Sequence, residues 1–449
     1  MTEASIDRIV EEARARAAER RRSFAWSPDG GPADPVPAPP PPVRPLEVLL
    51  SDGERTLFNY VRDPRLNVRI HQPGRPLETP PDVVVLTRMD RSDPETGAAG
   101  LPAEVWRLIS GGRAALVLDA SGEGSPFWPQ SAEKLHRFLR SRGVRPSMAA
   151  FVTQDRGWPA AYEAHCDRSG AGAERISIWI HDLYIQRTIA EAGRRGERVF
   201  ERRLEAYAAR GARRRKRFVS LNRTIRPVKA LFLLRLMQQG LFGSGFISLG
   251  VLGDVGGGKV VTLPEYAELL TRVHGLGQLA SELRPYLEEL AAIGPIDLGY
   301  EALKPAPLKA YGRSWFTVVT ESHASDRLHR ITEKPLKPIL NLHPFLVLGC
   351  LGSLRLLRAY GFETFPQLFD ESYDETTMLR GRFETVFEET RRLCLASEAD
   401  LARLNAEAAP SVVFNAWWGL VELPALFHSH IEARLIDDLV RLRARGAEA

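Results

Sequence analysis

Cysteine is scarce: three residues in 449, Cys166, Cys350 and Cys394, far apart and outside any CxxC spacing. An odd number of distant thiols excludes a disulfide framework and suggests no zinc site, so thiol chemistry is not expected. Long apolar runs are missing as well. None approaches the roughly 18 residues of a bilayer span, and the opening stretch MTEASIDRIVEEARARAAER is charged where a secretory signal would be apolar. The expectation is a soluble, cytoplasmic protein. Lysine is rare too, supplying eight of 61 basic residues, and the net charge is only +5. So small an excess does not call for nucleic acid. The arginine fork suits phosphate and carboxylate oxygens, which keeps an anionic substrate or partner open.

What is present is apolar material, 44% of the chain, enough to fill two or three domains at this length. Residues 1–45 read as a polar helix and a proline-rich arm, PADPVPAPPPPVRP. Short apolar runs then recur between Gly, Pro and polar punctuation: LEVLL (46–50), VVVLT (83–87), AALVLD (114–119), SMAAFVTQ (147–154) and ISIWI (176–180). Helical stretches such as SAEKLHRFLRSRG (131–143) separate them, the alternation of a parallel sheet covered on both faces. The spacing predicts an α/β domain over 46–216, closed by a long arginine-rich helix from about 182 to 217. A second α/β domain follows over 217–449, with strands RFVSLN (217–222), GFISLGVL (245–252), SWFTVVTE (314–321) and PFLVLG (344–349) and C-terminal helices. The run ARRRKR reads as a solvated helix end in preference to a nucleic-acid or anionic-lipid patch, and a peripheral contact with the inner membrane surface stays open.

The richest stretch is Glu321 to Glu375, ESHASDRLHRITEKPLKPILNLHPFLVLGC and onward to DESYDE. Thr332 is the expected N-cap of a helix with Pro335 in its first turn, aiming backbone N–H groups, Lys334 and Lys337 past the strand ends. A diphosphate suits such a place, with Glu333 accepting from ribose hydroxyls. The plainer alternative is a capped helix with surface charges. GDVGGGKV (253–260) matches seven positions of a P-loop but has Val260 where a magnesium-binding hydroxyl belongs, so a glycine-rich hairpin is expected and a P-loop phosphotransferase depending on Lys259 is the lesser alternative. His323, His329, His428 and His430 lack metal-site context, Trp417, Trp418, Phe365 and Phe369 read as packing residues, and DESYDE reads as an acidic loop.

The run TEKPLKPILNLHPFLVLG, followed by GSL, GF-TF and DESYDE, resembles a group of bacterial and phage glycosyltransferases, and TEK is similar to the SEK or TEK signature of α-1,3-fucosyltransferase-like GT-B enzymes. FVSLNRTIRPVKALFLLRLMQQGLFGSGFISLG, from Phe218 to Gly250, resembles the segment with LNR and an RP pair that opens their C-terminal domain. Val228 and Lys229 stand where that group more usually has His and Arg. The resemblance implies two Rossmann-like domains facing a cleft, the donor nucleotide sugar held mainly by the second. By the same analogy Asn222, Arg223 and Arg226 face the donor diphosphate, and Glu333 and Lys334 the ribose and phosphates.

Glycosyl transfer from a nucleotide builds negative charge on the departing diphosphate, which fixed cations must meet. Arg223, Arg226 and Lys334 suit that task. An inverting outcome also needs a base for the acceptor hydroxyl, and Glu123, in the loop after AALVLD, is the first candidate, ahead of Asp119 and His181. The expectation is therefore a metal-independent glycosyltransferase without a tightly bound cofactor. Its donor would be GDP- or UDP-linked and its acceptor a glycan or protein. A non-catalytic nucleotide- or glycan-binding protein of the same fold is the alternative.

Overall fold

A computed structural model describes residues 3–27, 44–53, 56–87, 93–122, 125–170, 175–210, 214–256, 259–299 and 309–447. The chain forms two compact units, each with its own parallel sheet. A six-strand unit comprises Ala25–Ala190, Arg327–Arg330 and Ala425–Ala449, and a four-strand unit comprises Met1–Phe24, Glu191–Asp326 and Ile331–Pro424. Among the described residues no helix is long and apolar enough to cross a membrane.

The six-strand unit contains β1 (Leu46–Leu50), β2 (Leu66–Ile70), β3 (Val83–Leu86), β4 (Ala115–Asp119), β5 (Ala149–Thr153) and β6 (Ser177–Ile180), ordered β2-β1-β3-β4-β5-β6 and parallel throughout. Every residue of β3, β4 and β5 is buried, which explains their near-continuous apolar sequences. Val84, Leu86, Leu116 and Phe151 pack with the helices Ala103–Ser110, Pro129–Ser141 and Trp158–Ser169. The alternate residues, Val83, Val85, Val117 and Val152, meet Leu435, Leu439 and Leu442 of the helix Ala433–Ala447. Those leucines recur at i, i+4 and i+7, one face of an amphipathic helix. The C-terminal helix therefore belongs to this unit and not to a 217–449 domain. Strand β2 was not legible because its residues are exposed or half-buried and its sequence, LNVRI, is half polar.

The four-strand unit contains β7 (Phe218–Asn222), β8 (Gly245–Leu249), the antiparallel hairpin of β9 (Asp254–Gly256) and β10 (Lys259–Val260), β11 (Phe316–Thr320) and β12 (Phe345–Leu348). Its sheet is parallel in the order β12-β11-β7-β8. The chain steps from β7 to β8 on one side, then returns to place β11 on the other side of β7. That reversal makes a topological switch point between β7 and β11. The helix Glu3–Ser23 is no free arm: Ile6, Ile9, Val10, Ala13 and Ala17 are buried, and it packs along the helix Glu398–Trp417. The proline-rich stretch at 28–43 lies outside the described residues.

The single helix expected from 182 to 217 is broken into Leu183–Ala192, a 3₁₀ turn Gly193–Arg195 and Gly196–Ala208. Helical geometry is lost at Arg195 (φ −147°, ψ 38°), and the glycines on either side are places of close approach. A Cβ at Gly193 would lie 2.3 Å from Pro424 Cβ, and one at Gly196 would lie 1.9 Å from the Leu420 carbonyl oxygen. The unit boundary falls here, at 190/191 in place of 216/217. Nor is the basic run a solvated helix end where it can be described. Within it Arg214 donates to Ser314 O while stacking 4.2 Å over Trp315 and Lys216 donates to Gly243 O, whereas Arg215 is exposed; just before it, Arg210 donates to the carbonyls of Asn341 and Leu342. Residues 211–213 lie outside the described residues.

Because Leu439 is fully buried against the six-strand sheet, Leu439→Ala should cost about 2–5 kcal/mol in urea denaturation. An unchanged midpoint would contradict the placement of the C-terminal helix.

Candidate functional site

In open α/β sheets ligands bind past the carboxyl ends of the strands at the switch point. In the four-strand unit that place is framed by the turn after β7 and the loop after β11. Asn222 ends β7 and is fully buried. Its Oδ1 accepts from Thr320 Oγ1 at 2.6 Å, its Nδ2 donates to Ser220 Oγ at 3.1 Å, and its backbone N–H donates to Ser248 Oγ at 2.9 Å. Asn222 thus ties β7, β8 and β11 together at their ends, positioning the turn that follows.

That turn leads into the helix Pro227–Gln238, whose first turn carries no acidic residue and whose N-cap, Arg226, makes no side-chain cap bond. Lys229 is the third residue of the helix. A helix N-terminus is the positive end of the macrodipole and normally attracts carboxylates. Here it is crowded by cations. Exposed Arg223 and half-buried Arg226 precede it, and Lys229 is only 2% exposed. Across the switch point, the loop after β11 brings Glu321, His323, Thr332, Glu333, Lys334 and Lys337 to the same place. His323 Nε2 lies 2.7 Å from Arg226 Nη1. Glu321 accepts from the Thr332 N–H at 3.0 Å and the Thr332 hydroxyl at 2.6 Å. Lys334 Nζ lies 3.1 Å from Thr332 Oγ1, 3.4 Å from Glu333 Oε1 and 3.7 Å from Glu321 Oε2.

Five cationic side chains therefore surround two carboxylates. Burial pushes the Lys229 ammonium down to about 7, with Lys334 and Arg226 adding repulsion and Glu321 and Glu333 opposing it. Lys337 is likewise pushed down to about 7, by burial first, against the pull of Glu333 and with repulsion from Lys334 and Arg223. Burial works against the Glu333 carboxylate, yet Lys334 and Lys337 bring it below its usual range. Three of the chain's eight lysines meet here. Lysine can shed its proton when buried and arginine cannot, so lysines tolerate these buried positions better than arginines would.

The structure thus brings together Arg223, Arg226, Glu333, Lys334 and Lys337, with Asn222 beneath them. Reasoning from sequence missed Lys229, Glu321 and His323. Lys229 was visible only as a departure from an expected pattern, although its rarity as a lysine was a usable signal. The expected helix from Thr332 is corrected. The helix is Leu336–Leu340, one short turn behind Pro335, and the Thr332 hydroxyl, ahead of it, donates to Glu321 and accepts from the Lys334 N–H at 3.5 Å. Two prolines in KPLKP remove donors and delay the helix. The positive groups gathered here are therefore side chains and the Pro227–Gln238 helix end.

Glu123 lies outside the described residues. Asp119 is committed elsewhere in the six-strand unit: it is buried and accepts from Thr56 Oγ1 at 2.7 Å, Ser121 N at 2.9 Å and Leu57 N at 3.2 Å. His181 is buried and stacks on Trp26, and burial lowers its imidazole to about 4. Asp155, just past β5, was not foreseen. Its Oδ1 accepts from His329 N and Gly157 N, its Oδ2 has no partner among the described residues, and burial raises its carboxyl. A buried carboxylate with one free oxygen can accept a proton.

The glycine-rich GDVGGGKV stretch contains the β9–β10 hairpin, with Lys259 exposed. Its residues 257–258 lie outside the described residues. Asp374 and Glu371 of DESYDE serve backbone N–H groups of Leu354, Arg355 and Phe365. Trp418, Phe365 and Phe369 are buried, and Trp417 packs edge-on to Phe200. Among the described residues no group of three or more His, Cys, Asp or Glu gathers as metal ligands. Comparison with protein-family models, curated proteins and solved structures returns no match.

The lowered Lys229 value has a consequence for stability. The folded state binds this proton less readily than the unfolded chain, so its contribution is present above the unfolded value and is lost as pH falls toward 7. Lys229→Met should therefore be more stable than the unmodified protein at pH 6, with the gap narrowing toward pH 10. Denaturation midpoints that keep a constant gap across that range would contradict the burial of a charged amine.

Proposed function

We propose that the four-strand unit binds the diphosphate of a nucleotide sugar and that the protein is a glycosyltransferase. The observation that carries this reading is the crowding of Arg223, Arg226 and Lys229 at the positive end of one helix, with Lys334 and Lys337 facing them. Such a cluster is unfavourable alone and favourable around a polyanion. Two parallel α/β units agree with a GT-B enzyme, and that finer assignment is part of the proposal. The resemblance of the TEK and LNR–RP segments to fucosyltransferase-like enzymes points the same way.

In this reading Arg226 and Lys334 meet the charge that grows on the leaving diphosphate as the sugar bond breaks. Lys229 and Lys337 become fully charged when the anion arrives, and Glu333 accepts from the ribose hydroxyls. Fixed side-chain cations oppose the developing charge without solvent reorganisation. Transfer is therefore expected to survive EDTA.

Calorimetric titration with GDP and UDP tests the reading. Arg226→Ala and Lys334→Ala should each weaken binding by about tenfold to a hundredfold, as expected for hydrogen bonds to charged groups. Affinity should also fall by about tenfold between pH 7 and pH 9, where the ligand keeps its full charge and the two buried lysines lose theirs. Absence of binding by either nucleotide, or indifference to both substitutions, would overturn it.

A further inference from the structure

In the six-strand unit the helices Pro129–Ser141 and Trp158–Ser169 share a groove of about 600 Å³, lined among others by Glu133, His136, Arg137, Arg140, His165 and Ser169. Pro146 also lines it, three residues before β5 begins, which puts the groove toward the amino end of the parallel sheet. Open α/β sheets hold their usual ligands past the carboxyl ends. This groove is therefore a separate place with its own chemistry.

Four of those six side chains are basic and one is acidic. The acids of the surrounding surface are already taken. Lys134 Nζ lies 2.9 Å from Asp93, Arg142 lies 2.8 Å from Glu95, and Arg175 reaches both Glu163 and Asp167. Among the described residues Arg137 and Arg140 have no ion pair, even with Glu133 in the same groove. The helix dipole accounts for Arg140 alone, which sits in the last turn of its helix. His136 and Arg137 come before that turn.

His136 is held from beneath. Its Nε2 lies 2.8 Å from the hydroxyl of buried Tyr162, which accepts from the Ile176 N–H at 3.0 Å, and the two rings stack. Burial pushes its imidazole below the ordinary value, and Arg140 and His165 push it further. Groups of one sign thus face one another with too little negative charge to balance them.

We propose that this groove binds a phosphate monoester carried on a compact polar body, with Arg137 and Arg140 on the phosphate and His136 and His165 beside it. Arginine forks match phosphate oxygens in pairs. The second ionisation of a phosphate ester, near pH 6, falls where histidine takes up a proton, so each charge favours the other. The volume lies within the range of about 300 to 1,000 Å³ typical of small-molecule sites. Besides Pro146 and Cys166 the lining side chains are charged or hydrogen-bonding, which suits a hydroxylated body such as a sugar. The inference concerns the other unit and stands or falls separately from the donor-site reading above.

The test is calorimetric titration of the full chain with glucose 6-phosphate, inorganic phosphate, citrate and glucose. Glucose 6-phosphate should bind about tenfold or more tighter than inorganic phosphate, and glucose should not bind. Arg137→Gln combined with Arg140→Gln, both at exposed positions, should weaken the ester by about tenfold to a hundredfold, as expected for hydrogen bonds to charged groups. Glu133→Gln should strengthen it. Arg107→Gln makes the same charge change at an exposed position on another helix and should leave it unchanged. In the unmodified protein the ring signals of His136 and His165 should shift on addition of the ester in labelled-histidine NMR. Absence of ester binding, indifference to the double substitution, or an equal loss in Arg107→Gln overturns the assignment. So does an affinity no greater than that of inorganic phosphate, or tighter binding of citrate than of the ester. Loss of binding in Arg226→Ala with retention in the double substitution would put the ester on the four-strand unit's cluster and overturn the groove assignment as well.

Discussion

The constraint on which the four-strand unit turns is the repulsion among cations at the start of the helix Pro227–Gln238. A helix end that is already positive carries Arg226 at its cap and Lys229 in its first turn. Lys334 and Lys337 approach from the loop after β11. Glu321 and Glu333 relieve part of this, and the loss of protons from the two most buried lysines relieves more. In the proposed function an anion relieves the remainder, and that is the ground for taking the cluster as a phosphate receptor in preference to a structural ion-pair network.

The scaffold supports that tension in a definite way. Asn222, Thr320, Ser220 and Ser248 bond to one another where β7, β8 and β11 end, so the turns that carry the charges leave from a rigid base. Glu321 is held by both the backbone and the hydroxyl of Thr332, which fixes the lysine-bearing loop. Gly250 brings the β8 loop against the Arg223 carbonyl. Polar groups at the strand ends therefore position the charged groups beyond them.

Much of the fold was legible because parallel strands buried on both faces read as uninterrupted apolar runs, as in VVVL and ALVLD. What escaped depended on tertiary context. Edge strand β2 carries too little apolar signal, and the helix break near Gly193 and Gly196 lies where Leu420 and Pro424 pass close by. The C-terminal helix joins the six-strand unit although its sequence lies next to the other one. Periodicity reports which face is buried and not against what. At the site, Arg223 and Arg226 were marked by the resemblance of the LNR–RP segment, and Glu333, Lys334 and Lys337 by charge past a predicted strand end. Lys229 was obscured by its place in an apolar helix sequence, and Glu321 read only as the end of a strand. The misplaced helix start at Thr332 shows the limit of capping signals when prolines follow and a buried carboxylate claims the hydroxyl.

The central claim is that buried lysines lack full charge until a diphosphate supplies its own. The most direct measurement is the proton balance of binding, from calorimetric titrations of a nucleoside diphosphate at pH 8 in two buffers of different ionisation enthalpy. The account predicts net uptake of about one proton or more per ligand bound, lost in Lys229→Met combined with Lys337→Met. Binding with no proton exchange, or with release, would contradict it.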